Sequence, residues 1–171
     1  MTSNLLRGLA RWRVTLGFVS AAIALWLARP GAWSLAGGAA VAIAGEALRV
    51  WAAGHLEKGR EVTASGPYAF TRHPLYVGST LIGIGLAIAS ASAIVGVLVI
   101  AYLAITLTAA VRTEEAHLTE KFGGAYPAYR EGRAGNGRRR FSLARAIRNR
   151  EYRAVAGLVV ALVILAWKAR A

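Results

Sequence analysis

The chain has 171 residues, of which 56% are hydrophobic and 17% charged, with a mean hydropathy of +0.46. A soluble domain of this length carries nearer a quarter charged residues, so the excess apolar surface calls for a solvent other than water. Lys and Arg number 21 against 8 acids, all of them Glu, for a net charge of +13, and the absence of cysteine excludes disulfides, thiolate catalysis, zinc fingers and iron–sulfur ligation.

Five apolar stretches follow in chain order. The first, residues 14–28, stops at Arg29-Pro30-Gly31. With Arg7, Arg11 and Arg13 ahead of it, it has the outline of a signal peptide, but no small-x-small cleavage site precedes Arg29, so an uncleaved first span is expected. The second, residues 33–54, contains Glu46 and Arg49. Residues 75–111 form an uncharged run of 37 residues. As one helix it would reach roughly 55 Å, nearly twice a hydrocarbon core of about 30 Å. The run therefore predicts a helical hairpin, with spans 75–90 and 93–111 and the turn at Ser90-Ala91-Ser92. The last stretch, residues 154–167, reaches span length by borrowing a turn from its flanks. Strand-like alternation is missing throughout, so the predicted class is all-α: a single-domain integral membrane bundle of about five transmembrane helices.

The basic residues orient this bundle. With the N-terminus cytoplasmic, the inner segments 1–13, 54–74 and 112–153 hold 3, 3 and 11 Lys and Arg, whereas the outer segments 29–32, 91–93 and 168–171 hold 1, 0 and 2. Only this orientation satisfies the positive-inside rule. Segments 55–74 and 112–131 then face the cytoplasm, followed by a basic interfacial segment over 132–153.

Several polar features invite a functional reading. The tract from Arg130 to Arg153 lacks the interleaved aromatics of a nucleic-acid module, and reads as a segment on anionic headgroups. Within it, Phe141 to Arg150 has the pattern of an amphipathic helix in the interface. Membrane lipids are thus expected partners and nucleic acid is not. Glu46 and Arg49, three residues apart, can pair on one helix face. Two readings stay open for them: snorkelling at the inner boundary, or lining or bracing a polar cavity. Gly83-Ile-Gly85 has Ile88 where a dinucleotide fingerprint needs its third glycine, and it lies within a span, so it reads as a packing motif. Glu114, His117 and Glu120 share a face, but a bundle metal site needs a second Glu-x-x-His copy, and no metal is expected.

The most informative stretch runs Gly66-Pro-Tyr-Ala-Phe-Thr-Arg-His-Pro-Leu-Tyr-Val-Gly78. Gly66-Pro67 signals a turn, and Pro74 suits the first turn of a helix, where its missing N–H costs nothing. Tyr68, Arg72, His73 and Tyr76 gather where a loop enters span three. The helix N-terminus offers amide N–H groups and a positive dipole end to a carboxylate. An interfacial anchoring belt explains the same residues equally well.

The spacing Gly-Pro-Tyr-x-x-x-Arg-His-Pro-x-Tyr-x-Gly resembles the signature of the isoprenylcysteine carboxyl methyltransferase family, which belongs with the phospholipid methyltransferases as small membrane-embedded enzymes. A second block, Glu114-Glu115-x-x-Leu118-x-x-x-Phe122-Gly123-x-x-Tyr126-x-x-Tyr129, is similar to theirs as well. The resemblance covers about residues 45–131. It implies S-adenosyl-L-methionine as methyl donor and a lipid or lipidated small molecule as acceptor. It also implies cofactor contacts from Arg60, Glu61, Val62 and Thr63 in a loop strand, from Tyr68, His73, Pro74, Leu75 and Tyr76, and from Glu114 and Glu115. Tyr126 and Tyr129 would lie in the segment closing over the cofactor. Glu114 and His73 are the candidate acid–base or binding groups. Prenylcysteine methyltransferases carry an Arg one turn before the first Glu of the second block; here that position is Ala110. The nearest candidate, Arg112, is displaced by two residues, or about 200° around the helix. The acceptor, its nucleophilic atom and the oligomeric state stay open. Two other functions share these features: an NADPH-dependent membrane reductase related to the sterol reductases, and a non-catalytic membrane scaffold.

Overall fold

A computed structural model of the chain describes residues 17, 19–133 and 139–170. Most of the expected first span before residue 19, and Arg138 of the basic tract, lie outside the described residues. Helix α1 covers 19–27. It is followed by α2 (Ala32–Ala53), a 3-10 turn (Gly66–Ala69), α3 (Pro74–Ser90), α4 (Ala93–Phe122), α5 (Ala125–Arg130), α6 (Leu143–Arg148) and α7 (Tyr152–Lys168). The described residues contain no strand, as the sequence predicts. The Arg60–Thr63 loop segment is a turn at Arg60 and a bend at Glu61 that continue into irregular chain.

The uncharged run folds as a hairpin. Its break falls at Ala91, whose φ of +48 turns the chain out of α3, and Ser92 then caps α4 by accepting the Val95 N–H at 3.5 Å. The far ends of the two helices meet through His73 and Glu115, 3.1 Å apart, so α3 and α4 run antiparallel. The main packing, however, is between α2 and α3. Gly38, Ala42 and Gly45 on α2 oppose Gly78, Gly85 and Ala89 on α3. A Cβ on Gly45 would stand 2.7 Å from the Gly78 carbonyl oxygen, and one on Gly85 would stand 2.4 Å from the Ala42 nitrogen. Small residues at this spacing let the backbones touch, which is how helices associate where burial of apolar surface gives no drive.

Opposite ends of the bundle are tied by different chemistry. At the far end, Ala28, Ala89 and Leu165 form a small apolar cluster. Lys168 Nζ donates to the carbonyls of Leu25 (2.8 Å) and Trp26 (2.9 Å), supplying the open C-terminal carbonyls of α1 with a cation. At the site end, Asn149 Nδ2 donates to the carbonyls of Ala53 and Leu56, each at 2.9 Å, and Arg145 to that of Gly54. Phe141 lies flat on Gly54, where a Cβ would meet the ring.

These contacts change two expectations. The interfacial helix is shorter than Phe141 to Arg150, and its arginines are partly turned inward: Arg145, Arg148 and Arg139 converge on Glu57 at 2.8, 3.4 and 3.5 Å, and Arg139 also reaches Glu61 at 2.7 Å. The Arg145 hydrogen bond, with Arg148 and Arg139 beside it, holds the Glu57 carboxyl below its ordinary range. Arg49 likewise prefers a distant partner. It lies 3.9 Å from Glu46 but 2.7 Å from Glu151 on the approach to α7, and it also donates to Ser79 Oγ and, at 3.4 Å, to the Leu75 carbonyl. One guanidinium thus joins α2, α3 and α7, a bracing role whose partners neighbouring positions on one helix could not reveal.

Among the described residues, two helices, Ala32–Ala53 and Ala93–Phe122, are long and apolar enough to cross a membrane. Helices α3 and α7 have 17 residues each. Little of the apolar part of α4 is covered by protein: Ile94, Val97, Ile100 and Ile105 are all well exposed. That surface needs an apolar medium.

Candidate functional site

Three chain segments build the site at the end of the bundle where α2 finishes, α3 begins and α4 runs past its apolar portion. The 3-10 turn comes first. Gly66 sits at φ +59, and the ring of His55 packs against it so closely that a Cβ would be 2.7 Å away. His55 is buried and donates from Nδ1 to the Trp51 carbonyl at 3.0 Å. Its job is to support the turn. The sequence leaves it without a role because its partner is bare backbone, which carries no signal in a side-chain pattern.

The turn buries Tyr68 and delivers Arg72 and His73 to the mouth of α3. Burial, then the nearby Glu114, raise the Tyr68 pKa. His73 precedes Pro74 as the N-cap, with φ −130° and ψ +56°, outside the helical region as expected before proline. Its ring stacks on Tyr76, with centroids 5.6 Å apart and planes inclined by 24°. One expectation narrows here. Pro74 has no N–H, and those of Tyr76 and Val77 donate to the His73 carbonyl at 3.0 and 3.1 Å. Of the first helical amides, Leu75 is left to receive an anion.

Helix α4 supplies the acids. Glu115 Oε1 accepts from His73 Nε2 at 3.1 Å and lies 3.3 Å from Arg72 Nη1. Glu114 stands off, with Oε2 at 4.0 Å from His73 Nδ1 and a side chain 45% exposed. The two adjacent carboxylates therefore differ: one is committed to the cation pair, the other faces outward beside it. The His73 hydrogen bond, with the Arg72 guanidinium beside it, holds Glu115 below the ordinary carboxylate range despite some desolvation. A carboxylate depressed in this way contributes stability above its ordinary pKa of 4.5 and loses it as pH falls through the lowered value. Thermal unfolding followed on acidification should therefore decline more steeply for the native chain than for Glu115→Gln.

Helix α5 closes the site from above. Tyr129 donates to the Tyr68 carbonyl at 2.6 Å, clasping α5 onto the 3-10 turn. Tyr126 is 2% exposed, and burial followed by the Glu115 charge pushes its pKa up to about 12. Its hydroxyl is close enough to Glu115 to feel that charge, yet it makes no well-formed hydrogen bond among the described residues. A buried hydroxyl in that state is costly unless something else is bonded to it.

The structure thus gathers His73, Tyr68, Tyr76, Glu114 and Glu115, with Arg72 added, around the start of α3. Pro74 and Leu75 form its first turn. The Arg60–Thr63 segment is engaged elsewhere: Glu61 binds Arg139, and Thr63 Oγ1 accepts the Glu57 N–H at 3.3 Å. Arg60 is exposed and Val62 half-buried. Arg112 lies exposed on α4, three residues before Glu115. Clasped charges of opposite sign, a buried hydroxyl beside Glu115 and, among the described residues, one open helix amide suit a small zwitterionic ligand.

Comparison with known proteins agrees with the position of these residues. The phospholipid methyltransferase family matches residues 12–125, which include the 3-10 turn, the hairpin and both glutamates. The chain is also similar to the cobalt-zinc-cadmium resistance protein CzcN of Cupriavidus metallidurans, with 34% identity over 120 residues, 65% of this chain and 55% of that one. It therefore spans about half the length of this curated relative. No solved structure matches the chain. With two thirds of its length matched, the first block and the glutamates of the second included, the chain is a member of the phospholipid methyltransferase family, a family of membrane methyltransferases.

Proposed function

We propose that the chain transfers a methyl group from S-adenosylmethionine to a lipophilic acceptor resident in the membrane. The observation that carries this reading is the meeting of the two sequence blocks across the hairpin, where His73 and Arg72 clasp Glu115 and leave Glu114 open beside them. Multi-pass placement belongs to the same proposal: five crossings with both blocks on the cytoplasmic face. Its support is the alternation of helix ends and the concentration of Arg and Lys at the site end.

Within this proposal the residues divide as follows. Glu114 receives the ammonium of the cofactor's amino-acid portion, and Arg72 with the Leu75 N–H receives its carboxylate. Glu115 is a positioning residue that holds His73. Tyr126 and Tyr129 cover the ligand and exclude water, which strengthens every charge interaction beneath them. When bound, the cofactor would supply an electrophilic methyl group on a sulfonium sulfur, with a neutral thioether as the group left behind once the methyl is on the acceptor. A carboxylate acceptor needs no base for this. An amine acceptor has to lose a proton, for which Glu114 and His73 are within reach of the same mouth. Arg60, Val62 and Thr63 as cofactor contacts, and Arg112 toward the acceptor, rest on the family resemblance alone.

Isothermal calorimetry on detergent-purified protein tests the proposal. S-adenosylhomocysteine should bind, and His73→Ala should weaken that binding by about tenfold, the value of a hydrogen bond involving a charged group. Well-folded protein that takes up no S-adenosylhomocysteine would falsify the reading in favour of a scaffold. Uptake of NADPH in its place would point to a reductase.

A further inference from the structure

The molecule has a second feature on the α6–α7 side that the transfer site does not use. A groove of about 170 Å³ lies between the end of α2, α6 and the start of α7, lined by Val50, Leu143, Ala146, Ile147, Tyr152 and Val155. Glu151, held by Arg49, also borders it. The volume is below the range of about 300–1,000 Å³ typical of sites that enclose a compact ligand. It suits part of a flexible hydrocarbon chain, with the rest of the molecule outside.

The rim is apolar and basic at once. Leu143, Ile147 and Tyr152 are each more than half exposed, so a solvent other than water faces them. Next to these lining residues in the chain come Arg148, with a side chain 60% exposed, and the exposed Arg150 and Arg153. Arg148 reaches Glu57 at a long 3.4 Å, and Arg153 lies over the Tyr152 ring at 6.0 Å. Arg150 occupies the junction between α6 and α7 at φ +62, a left-handed conformation that glycine or asparagine adopts at less cost. An arginine kept at such a position, beside two others and an apolar groove, is matched to an amphiphile with a negative head.

We propose that this groove binds one anionic membrane phospholipid, its acyl chain between α6 and α7 and its headgroup on Arg148, Arg150 and Arg153. The commitment to an anionic lipid follows from charge complementarity: three exposed arginines adjoin Ile147, Glu151 and Tyr152 of an otherwise apolar slot, and the one acid bordering it is paired with Arg49. The site is separate from the His73–Glu115 cluster and does not depend on methyl transfer. It does share one link with it, because the Arg49 that holds Glu151 also grips the Leu75 carbonyl in the first turn of α3.

Native mass spectrometry of the detergent-purified chain tests this, with phosphatidylglycerol and phosphatidylcholine of identical acyl chains offered together. One phosphatidylglycerol should be retained in preference to phosphatidylcholine. Arg150→Gln and Arg153→Gln should each reduce that preference about fivefold, the effect of one charge near a lipid surface, while Lys58→Gln leaves it unchanged. Val155→Trp, which fills the slot, should reduce retention of both lipids. Equal retention of the two lipids by the native chain overturns the proposal, as does a preference that survives both arginine substitutions. A dimer that Val155→Trp abolishes would also overturn it, assigning the groove to a second copy of the chain. Since the readout is lipid retention, it stands or falls independently of S-adenosylhomocysteine binding.

Discussion

Replacing Glu114 by Gln is expected to weaken S-adenosylhomocysteine binding by about tenfold to a hundredfold while leaving the unfolding temperature unchanged. The magnitude is that of a charge-assisted hydrogen bond, about 1.5–3 kcal/mol. The lack of effect on stability follows from the surroundings: the Glu114 side chain is 45% exposed and 4.0 Å from its charged neighbour. Exposed positions of this kind change stability by less than about 0.5 kcal/mol. Its neighbour should behave differently. Glu115→Gln removes the countercharge of Arg72 and His73, so both binding and stability should fall. Calorimetry paired with thermal unfolding on the two variants separates ligand contact from positioning. Equal losses of stability in both would contradict the division of roles between the two carboxylates.

The second large effect concerns packing. Gly85→Leu should prevent α2 and α3 from docking, because its Cβ would lie 2.4 Å from the Ala42 nitrogen and 2.6 Å from the Gly38 carbonyl oxygen. Backbone atoms cannot rotate aside as a flexible side chain can. Overpacking of a well-packed interface costs about 1–3 kcal/mol where side chains yield, and more where they cannot. Loss of the folded, monodisperse species in detergent is the expected outcome. Gly96→Ala is the companion, since nothing lies within 4 Å of a Cβ there. It should be neutral or stabilise α4 by up to about 1 kcal/mol through helix propensity. A Gly85→Leu chain that unfolds at the native temperature would mean that the two helices do not meet through this face.

A displaced α3 would also move the site, since Pro74 and Leu75 form its first turn and Arg49 crosses from α2 to hold that turn. The small residues of the α2–α3 interface are therefore part of how His73 comes to face Glu115. The fold provides the alignment on which a one-step displacement chiefly depends.

What the sequence determined by itself was local. Uninterrupted apolar length set the helices, and the excess of that length over a bilayer required the break at Ser90-Ala91-Ser92. Proline after His73 placed a helix start, and motif spacing picked out the two blocks that the family shares. The tertiary structure decided the pairings. The sequence favours Glu114 through the family resemblance but assigns Glu115 no partner; about 100° of helix rotation makes Glu115 a clasp for His73 and leaves Glu114 an open carboxylate. Arg49 reads as the partner of Glu46, its neighbour on the helix, until α7 brings Glu151 to 2.7 Å. Glu57 gathers three arginines from a tract that, read along the chain, has only lipid to face. In each case the reason is the same: charges act over a few ångströms of space, and only packing brings residues 40 to 100 positions apart within that range.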